Sequence, residues 1–435
     1  MKNILKVIHW NKLSLVEKDQ IFIRPVFFES NTIVESVKKI ITNVRISGDE
    51  ALKKYSQMFD HAKIDKFKIS RKKILTSHAN VNESTKNAIL KAIKNIKCFH
   101  LEQKVNSITV KVQPGVNCQQ LIKPIESVGL YIPGGSAPLV STVLMLSIPA
   151  NIAGCSNIIL CSPPPITKEI LYAAEICGVH KIFEIGGAQA IAALAFGTES
   201  IPKVNKIFGP GNAYVTEAKR QVSQLLDHLA IDMLAGPSEV LIIADSTANA
   251  IFIASDLLAQ AEHGPNSQVV LLTPSLTLVN EVLKALQDQC IKLSRLKIIK
   301  EALSKSYIII THNLSECVEI SNLYAPEHLI IHTINPEDLV HDIVNAGAIF
   351  LGKWSAEAVG DYAAGPNHVL PTYGCATAYS GLSLIDFQKR INVQSLTQQG
   401  FIDLAPTVVT LSKIEKMEAH GNSITLRLNS IKGRI

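Results

Sequence analysis

Lys181-Ile182-Phe183-Glu184-Ile185-Gly186-Gly187-Ala188-Gln189 passes from a short apolar run through two glycines into an apolar helical stretch. A run of strand length, a glycine turn and then a helix is the repeating unit of a parallel sheet. The same texture extends on both sides. Apolar runs recur at 128–132, 158–161 and 206–208, separated by helical stretches such as 168–177 and 188–196. A second ladder follows at 240–244, 269–272, 307–311, 329–332 and 348–351. Two ladders predict two α/β domains, each a parallel sheet with helices on both faces.

Outside the ladders the pattern changes. Ile33, Val34, Val37, Ile40, Ile41 and Val44 recur at helical spacing, and a second helix is predicted from about 84 to 100. Ile108, Val110 and Val112 alternate before Pro114-Gly115, a strand entering a turn. Residues 382–435 have apolar runs too short for another sheet domain and read as a tail with a small helical piece near 406–421. Such a piece cannot bury a core of its own, so it is expected to pack on a partner subunit.

Size and composition agree. The chain has 435 residues, more than one core of about 250–300 residues accommodates. It is 47% hydrophobic and 18% charged, which excludes disorder. The net charge of +6 comes from scattered residues such as Arg71-Lys72-Lys73, with no basic stripe interleaved with aromatics. Solvated helix faces are the reading, not a nucleic-acid surface. Eight cysteines without a C-x-x-C pair predict reduced, mostly buried thiols of a cytoplasmic protein, and exclude a zinc ribbon. The first twenty residues lack a secretory pattern. The stretch 127–167 carries no charge, but Pro133-Gly134-Gly135, Pro149 and Pro163-Pro164-Pro165 punctuate it as buried strands and loops, not a membrane span.

Four polar clusters carry candidate chemistry. In Gln260-Ala261-Glu262-His263-Gly264-Pro265 a predicted helix, 256–263, ends at Gly264, and Gln260 and His263 share a face suited to two metal ligands. Taken alone, an ordinary polar helix end with a histidine near the negative pole of the dipole is the simpler reading. Ala325-Pro326-Glu327-His328-Leu329 puts a carboxylate beside an imidazole at the mouth of a strand. A regular strand would point them to opposite faces, so joint acid–base action requires the irregular backbone that Pro326 favours. Gly360-Asp361-Tyr362-Ala363-Ala364-Gly365-Pro366-Asn367-His368 is read either as a rigid loop offering a hard ligand, Asp361, or as a plain connection. Glu415 and His420 lie in the tail and by themselves describe a solvated helix end. Three glycine-bearing strand–helix junctions, at Pro133-Gly134-Gly135, Gly186-Gly187-Ala188-Gln189 and Gly209-Pro210-Gly211-Asn212, could each turn backbone N–H groups towards a phosphate. Tight turns use glycine in any case, but three in one ladder point to a nucleotide pocket.

Together these segments resemble the histidinol dehydrogenase family over nearly the whole chain. The likeness is densest at 134–154, 208–212, 231–233 with 235–240, 260–265, 325–329 and 345–372. The resemblance implies two Rossmann-like domains with small helical extensions and an intertwined homodimer. It divides the chain into an extension at 1–24, a first domain at 25–127 and 239–381 holding the metal and catalytic residues, a second at 128–238 for NAD, and a tail domain at 382–435. It implies one zinc ion per subunit held by Gln260, His263, Asp361 and, across the dimer, His420. His328 becomes the base for the alcohol proton and Glu327 the group that activates water. Histidinol is oxidised twice by NAD and contacted by Ser238, Gln260, His263, His328, Asp361, His368, Glu415 and His420. Tyr131, Gln189 and Asn212 match NAD-contacting positions. Leu234 and Ala356 stand where the family pattern has proline. A zinc hydrolase using Glu327, or a metal-binding protein without catalysis, would share the metal cluster; the glycine-bearing junctions favour the dehydrogenase.

Overall fold

The computed structural model describes residues 5–24, 31–134, 138–233 and 236–433; the expectations placed on Gly135, Leu234 and Ala235 lie outside them. Among the described residues there are two parallel sheets and one antiparallel sheet. The chain divides into a large unit, residues 1–103 with 125–387, and a small one, 104–124 with 388–435.

Both parallel sheets of the large unit have the same plan. In the six-stranded sheet the order is Lys6–His9, Tyr307–Ile310, Gln268–Thr273, Glu239–Ala244, His328–His332, Ala348–Leu351. In the five-stranded sheet it is Lys181–Glu184, Asn157–Ser162, Ser127–Tyr131, Lys206–Phe208, Ala230–Ile231. All neighbours in both are parallel. In each, the first strand of the ladder lies in the middle and the chain then winds outward to either side. Each sheet therefore has a switch point beside its first strand, where the connections leave in opposite directions and open a crevice. The inner strands are apolar throughout, as two-sided burial requires: Val240, Leu241, Ile242, Ile243 and Ala244 are all inaccessible to solvent.

The helix Asn31–Phe59, interrupted at Gly48, buries Val37, Ile40, Ile41 and Val44 against Ala190, Leu194 and Val215 from the helices of the five-stranded sheet. The predicted second helix spans Glu83–Glu102, with Ile89, Ala92 and Ile96 packed against Val143 and Leu146. The N-terminal extension contributes more than helix. Lys6–His9 adds an edge strand beside Tyr307–Ile310.

The tail also differs from its helical reading. Gln388–Leu396 is a nine-residue strand, antiparallel to Val116–Pro124, which pairs in turn with Ile108–Gln113. The helices Gln398–Ile414 and Glu418–Ile431 complete this unit. The strand escaped the sequence because most of its side chains are exposed, so no apolar run marks it; its partner strand defines it. Among the described residues no helix is long and apolar enough to cross a membrane. All eight cysteines are unpaired; four are buried, Cys98 is exposed and the rest are half-buried.

Candidate metal and catalytic centre

Glu239 opens the first strand of the six-stranded sheet and His328 opens the strand beside it, with His328 in register with Val240. The helix Ala250–Ala261 follows Glu239–Ala244 and must return to the strands' amino ends before Gln268–Thr273 can run parallel. Gln260 and His263 thus arrive at the same end as Glu327 and His328. The helix ends at Ala261, two residues earlier than predicted. His263 still follows Gln260 by one tight turn, its N–H donating to the Gln260 carbonyl at 3.2 Å.

The irregular backbone anticipated at Pro326 is present. Ala325 is left-handed (φ 50°, ψ 64°) and the strand begins only at His328. Glu327 is therefore outside the pleat, and its Oε2 lies 3.5 Å from His328 Nδ1. Both side chains are held by one residue. Glu239 N donates to Glu327 Oε2 at 2.8 Å, and His328 Nδ1 donates to the Glu239 carbonyl at 3.0 Å. A carbonyl only accepts, so in the neutral ring the proton sits on Nδ1 and Nε2 carries the lone pair. That Nε2 is buried without a hydrogen-bond partner, 3.5 Å from Asp361 Oδ1 at ion-pair distance.

Asp361 lies on a short helix, Glu357–Tyr362, where a glycine-rich loop was expected. The helix brings in Glu357, which the sequence reading missed, although Glu357 and Asp361 stand one helical turn apart, a spacing that marks a shared face. Glu357 Oε1 is 4.0 Å from His328 Nδ1 and its Oε2 is buried without a partner. Ligand atoms of His263, Glu357 and Asp361 lie within 4.8 Å of one another. Gln260, fully buried, has an unpartnered Oε1, while its Nε2 is 3.4 Å from His328 Nδ1. His368 Nδ1 donates to the Asp361 carbonyl at 2.8 Å, and its Nε2 is 3.4 Å from Thr142 Oγ1. A cavity of about 260 Å³ opens beside His328, Asp361 and His368, walled by Phe350 and Trp354.

The electrostatics ask for a cation. Burial pushes the Glu357 carboxyl up, to about 8, with the charges of Asp361 and Glu327 adding to the effect. Burial also raises Glu327, against the pull of His328. Burial disfavours the His328 imidazolium, but Glu357, Glu327 and Asp361 outweigh it and hold the ring well above its usual range. Burial lowers His263. Several buried polar atoms left without partners around such a carboxylate cluster are otherwise rare. One imidazole, one amide oxygen and two carboxylates are donors that suit zinc or another divalent ion. The residues present fit a metal.

The remaining predicted residues divide by unit. Ser238 immediately precedes Glu239 at the mouth of the first strand. Glu415 and His420 lie in the small unit, at the junction of its two helices. Glu415 is the terminal residue of Gln398–Ile414, and His420 is exposed in the first turn of Glu418–Ile431. The buried thiols are poor nucleophiles, with burial raising Cys155 to about 11 and Cys317 to about 12.

Tyr131, Gln189 and Asn212 gather at the carboxyl ends of the five-stranded sheet, around its switch point. Tyr131 ends the central strand, and its hydroxyl accepts from Gly187 N at 3.1 Å. Gln189 is buried in the first turn of Gly187–Phe196. Asn212 caps Ala213–Leu225, its Oδ1 accepting from Tyr214 N and Val215 N. Gly209 is left-handed (φ 121°), and a Cβ there would strike the Tyr131 carbonyl, so only glycine permits this approach. The contact between His368 and Thr142, near the start of the helix Val140–Ala153 that follows Tyr131, links this crevice to the polar cluster.

Known proteins resemble this chain over nearly its whole length. The family model described as histidinol dehydrogenase matches residues 27–428. A histidinol dehydrogenase of Buchnera aphidicola subsp. Baizongia pistaciae is 57% identical over 432 residues, 99% of each chain. That of Escherichia coli K12 is 55% identical, covering 98% of each. The crystal structure of histidinol dehydrogenase from Elizabethkingia anophelis superposes with a TM-score of 0.95 at 43% identity, covering 99% of this chain and 100% of that one. The His263–Glu357–Asp361 cluster and the two matching sheets thus sit in a chain that belongs to the histidinol dehydrogenase family.

Proposed function

We propose that this chain carries out two successive NAD-dependent oxidations, of L-histidinol to L-histidinal and of L-histidinal to L-histidine, closing histidine biosynthesis in the cytoplasm. The observation that carries the reading is the convergence of buried, unpartnered Gln260 Oε1, His328 Nε2 and Glu357 Oε2 with His263 and Asp361. One zinc ion per subunit, held by Gln260, His263, Asp361 and His420 of the partner subunit, would orient the imidazole and amine nitrogens of histidinol and take no part in redox.

The residues of the chain then divide the work. With a cation among the carboxylates of the cluster, the charges that raise His328 would be offset and its ring left neutral. His328 then receives the hydroxyl proton at Nε2, the nitrogen its hydrogen bond to Glu239 leaves free, as hydride passes to NAD. Glu327 takes the proton of the water that adds to the aldehyde, and a second NAD accepts the second hydride. The sum is histidinol, two NAD⁺ and one water giving histidine, two NADH and three protons. Ser238, His368 and Glu415 contact the substrate. Tyr131, Gln189 and Asn212 bind NAD at the switch point of the five-stranded sheet, where doubly wound folds bind dinucleotides. The tail 382–435 packs on the partner in a homodimer. Exposed Ile391, Val393, Leu411, Ile414 and Met417 of the small unit support that role.

The test is histidinol-dependent growth of the NADH absorbance band, paired with metal analysis, on wild type and His263→Asn. Loss of zinc and activity together is expected in the variant. Full activity without metal would refute the zinc assignment, and no NADH from wild type would refute the reading.

A further inference from the structure

Arg24 lies far from the polar cluster in sequence, yet it is tied to both segments that present Glu327 and His328. Its Nε donates to Glu239 Oε1 at 2.8 Å and a terminal nitrogen to Oε2 at 3.2 Å, a two-point grip on the carboxylate. The same terminal nitrogen donates to the Tyr324 carbonyl, and the guanidinium lies over the Tyr324 ring, 3.6 Å from its centre. The other terminal nitrogen donates to the Phe22 carbonyl at 3.1 Å. The pair is buried, with 7% and 2% of the two side chains exposed. Tyr324 is fixed at its far end, its hydroxyl donating to Gln268 Oε1 at 2.7 Å. Tyr373 N adds a further donor to Glu239 Oε1 at 3.2 Å.

The position of these two anchors matters. Tyr324 is the last helical residue before the left-handed Ala325 and Pro326 that lift Glu327 out of the pleat. Glu239 is the residue whose N–H holds Glu327 and whose carbonyl holds His328 Nδ1. The neighbouring strand begins at His328, opposite Val240, so no sheet ladder fixes Glu239 on that side. On its other side Glu239 is in register with Gln268; towards His328 its own side chain adds the restraint, and that side chain is held by Arg24.

We infer that Arg24 and Glu239 form a positioning clamp for the reaction: through the Glu239 backbone and the Tyr324 carbonyl they set the separation of Glu327 and His328 and keep the His328 proton on Nδ1. Neither residue is among the proposed substrate contacts. The inference rests on the proposed roles of Glu327 and His328. A displacement of a reacting group by about 1 Å costs on the order of 100-fold in rate, so the clamp acts on turnover and leaves NAD and metal binding alone.

The experiment compares wild type, Arg24→Lys, the double variant Arg24→Met with Glu239→Gln, and Glu327→Gln. The double variant leaves no unpaired charge in the interior. Read-outs are kcat per zinc-loaded site, KM for histidinol and for NAD, zinc content and Tm. The double variant is expected to lose roughly 10–100-fold in kcat, with zinc content and KM for NAD unchanged. Arg24→Lys, which keeps the buried carboxylate paired but lacks the fork, is expected to fall between it and wild type. If the double variant does not fold, Arg24→Lys decides the matter. Wild-type kcat per loaded site in Arg24→Lys and in any folded double variant, with Glu327→Gln inactive, overturns the clamp and leaves the functional reading standing. Full activity in Glu327→Gln overturns that reading instead, and the clamp with it.

Discussion

Replacing Lys219 with Met tests how the glycine turn of the five-stranded sheet is held. Lys219 and Asp232 are among the most deeply buried charges in the chain, with 3% and 1% of their side chains exposed. Lys219 Nζ donates to Asp232 Oδ1, to the Gly209 carbonyl at 3.0 Å and to the Met233 carbonyl at 3.1 Å. Asp232 Oδ2 accepts from Gly209 N at 2.7 Å. Gly209 is thus pinned at both its N–H and its carbonyl, three residues before Asn212. Lys219→Met leaves the buried Asp232 side chain without its cation and with a single donor, and strips a donor from two buried carbonyls. Breaking a buried pair in this way costs about 3–5 kcal/mol. Converting Asp232 to Asn as well removes the unpaired charge and keeps an acceptor for Gly209 N, so the double variant is expected to lose only about 1–2 kcal/mol. Urea unfolding followed by far-ultraviolet circular dichroism, at matched metal content, measures both. A single variant within about 1 kcal/mol of wild type, or a double variant less stable than the single, would refute the argument. Where the variants fold, KM for NAD is expected to rise with the loss of stability, because the turn carries Asn212.

Two further predictions rest on carboxylates in contrasting surroundings. Burial alone would raise Asp245, but hydrogen bonds from the Thr247 hydroxyl, Ile334 N and Thr247 N outweigh it and hold the carboxyl below its ordinary value. A carboxyl depressed in the folded state stabilises it above the unfolded pKa, near 3.9, and that contribution is lost as pH falls through the folded value. The stability advantage of wild type over Asp245→Asn should therefore be full at pH 7 and fade below about pH 4. An advantage that grows on acidification would contradict the assignment. Glu357→Gln, which removes one of two carboxyls beside His263, is expected to weaken zinc at least roughly ten-fold: the carboxyl, raised to about 8 without a cation, gives up its proton as the metal binds, and a unit charge near 5 Å is worth several kcal/mol at an effective dielectric of about 20. Chelator competition measures it, and unaltered affinity would place Glu357 outside the metal's influence.

The sequence alone determined the two ladders, the buried strands and the order of the clusters, because a parallel strand covered on both faces must be an apolar run and a glycine turn must follow it. It singled out Gln260, His263, Glu327, His328 and Asp361 through local spacing and through likeness to a family. Three features were decided only by tertiary structure. Gln388–Leu396 is a strand because Val116–Pro124 lies beside it, a pairing made between segments more than 260 residues apart. Glu357 entered the cluster because a short helix formed where glycine and proline suggested a loop. Arg24 acquired a role because the Glu239 and Tyr324 segments meet around its guanidinium. Hydrophobic periodicity is written along the chain, but the burial of a charge and the residue chosen to hold it depend on which distant segments come together in space.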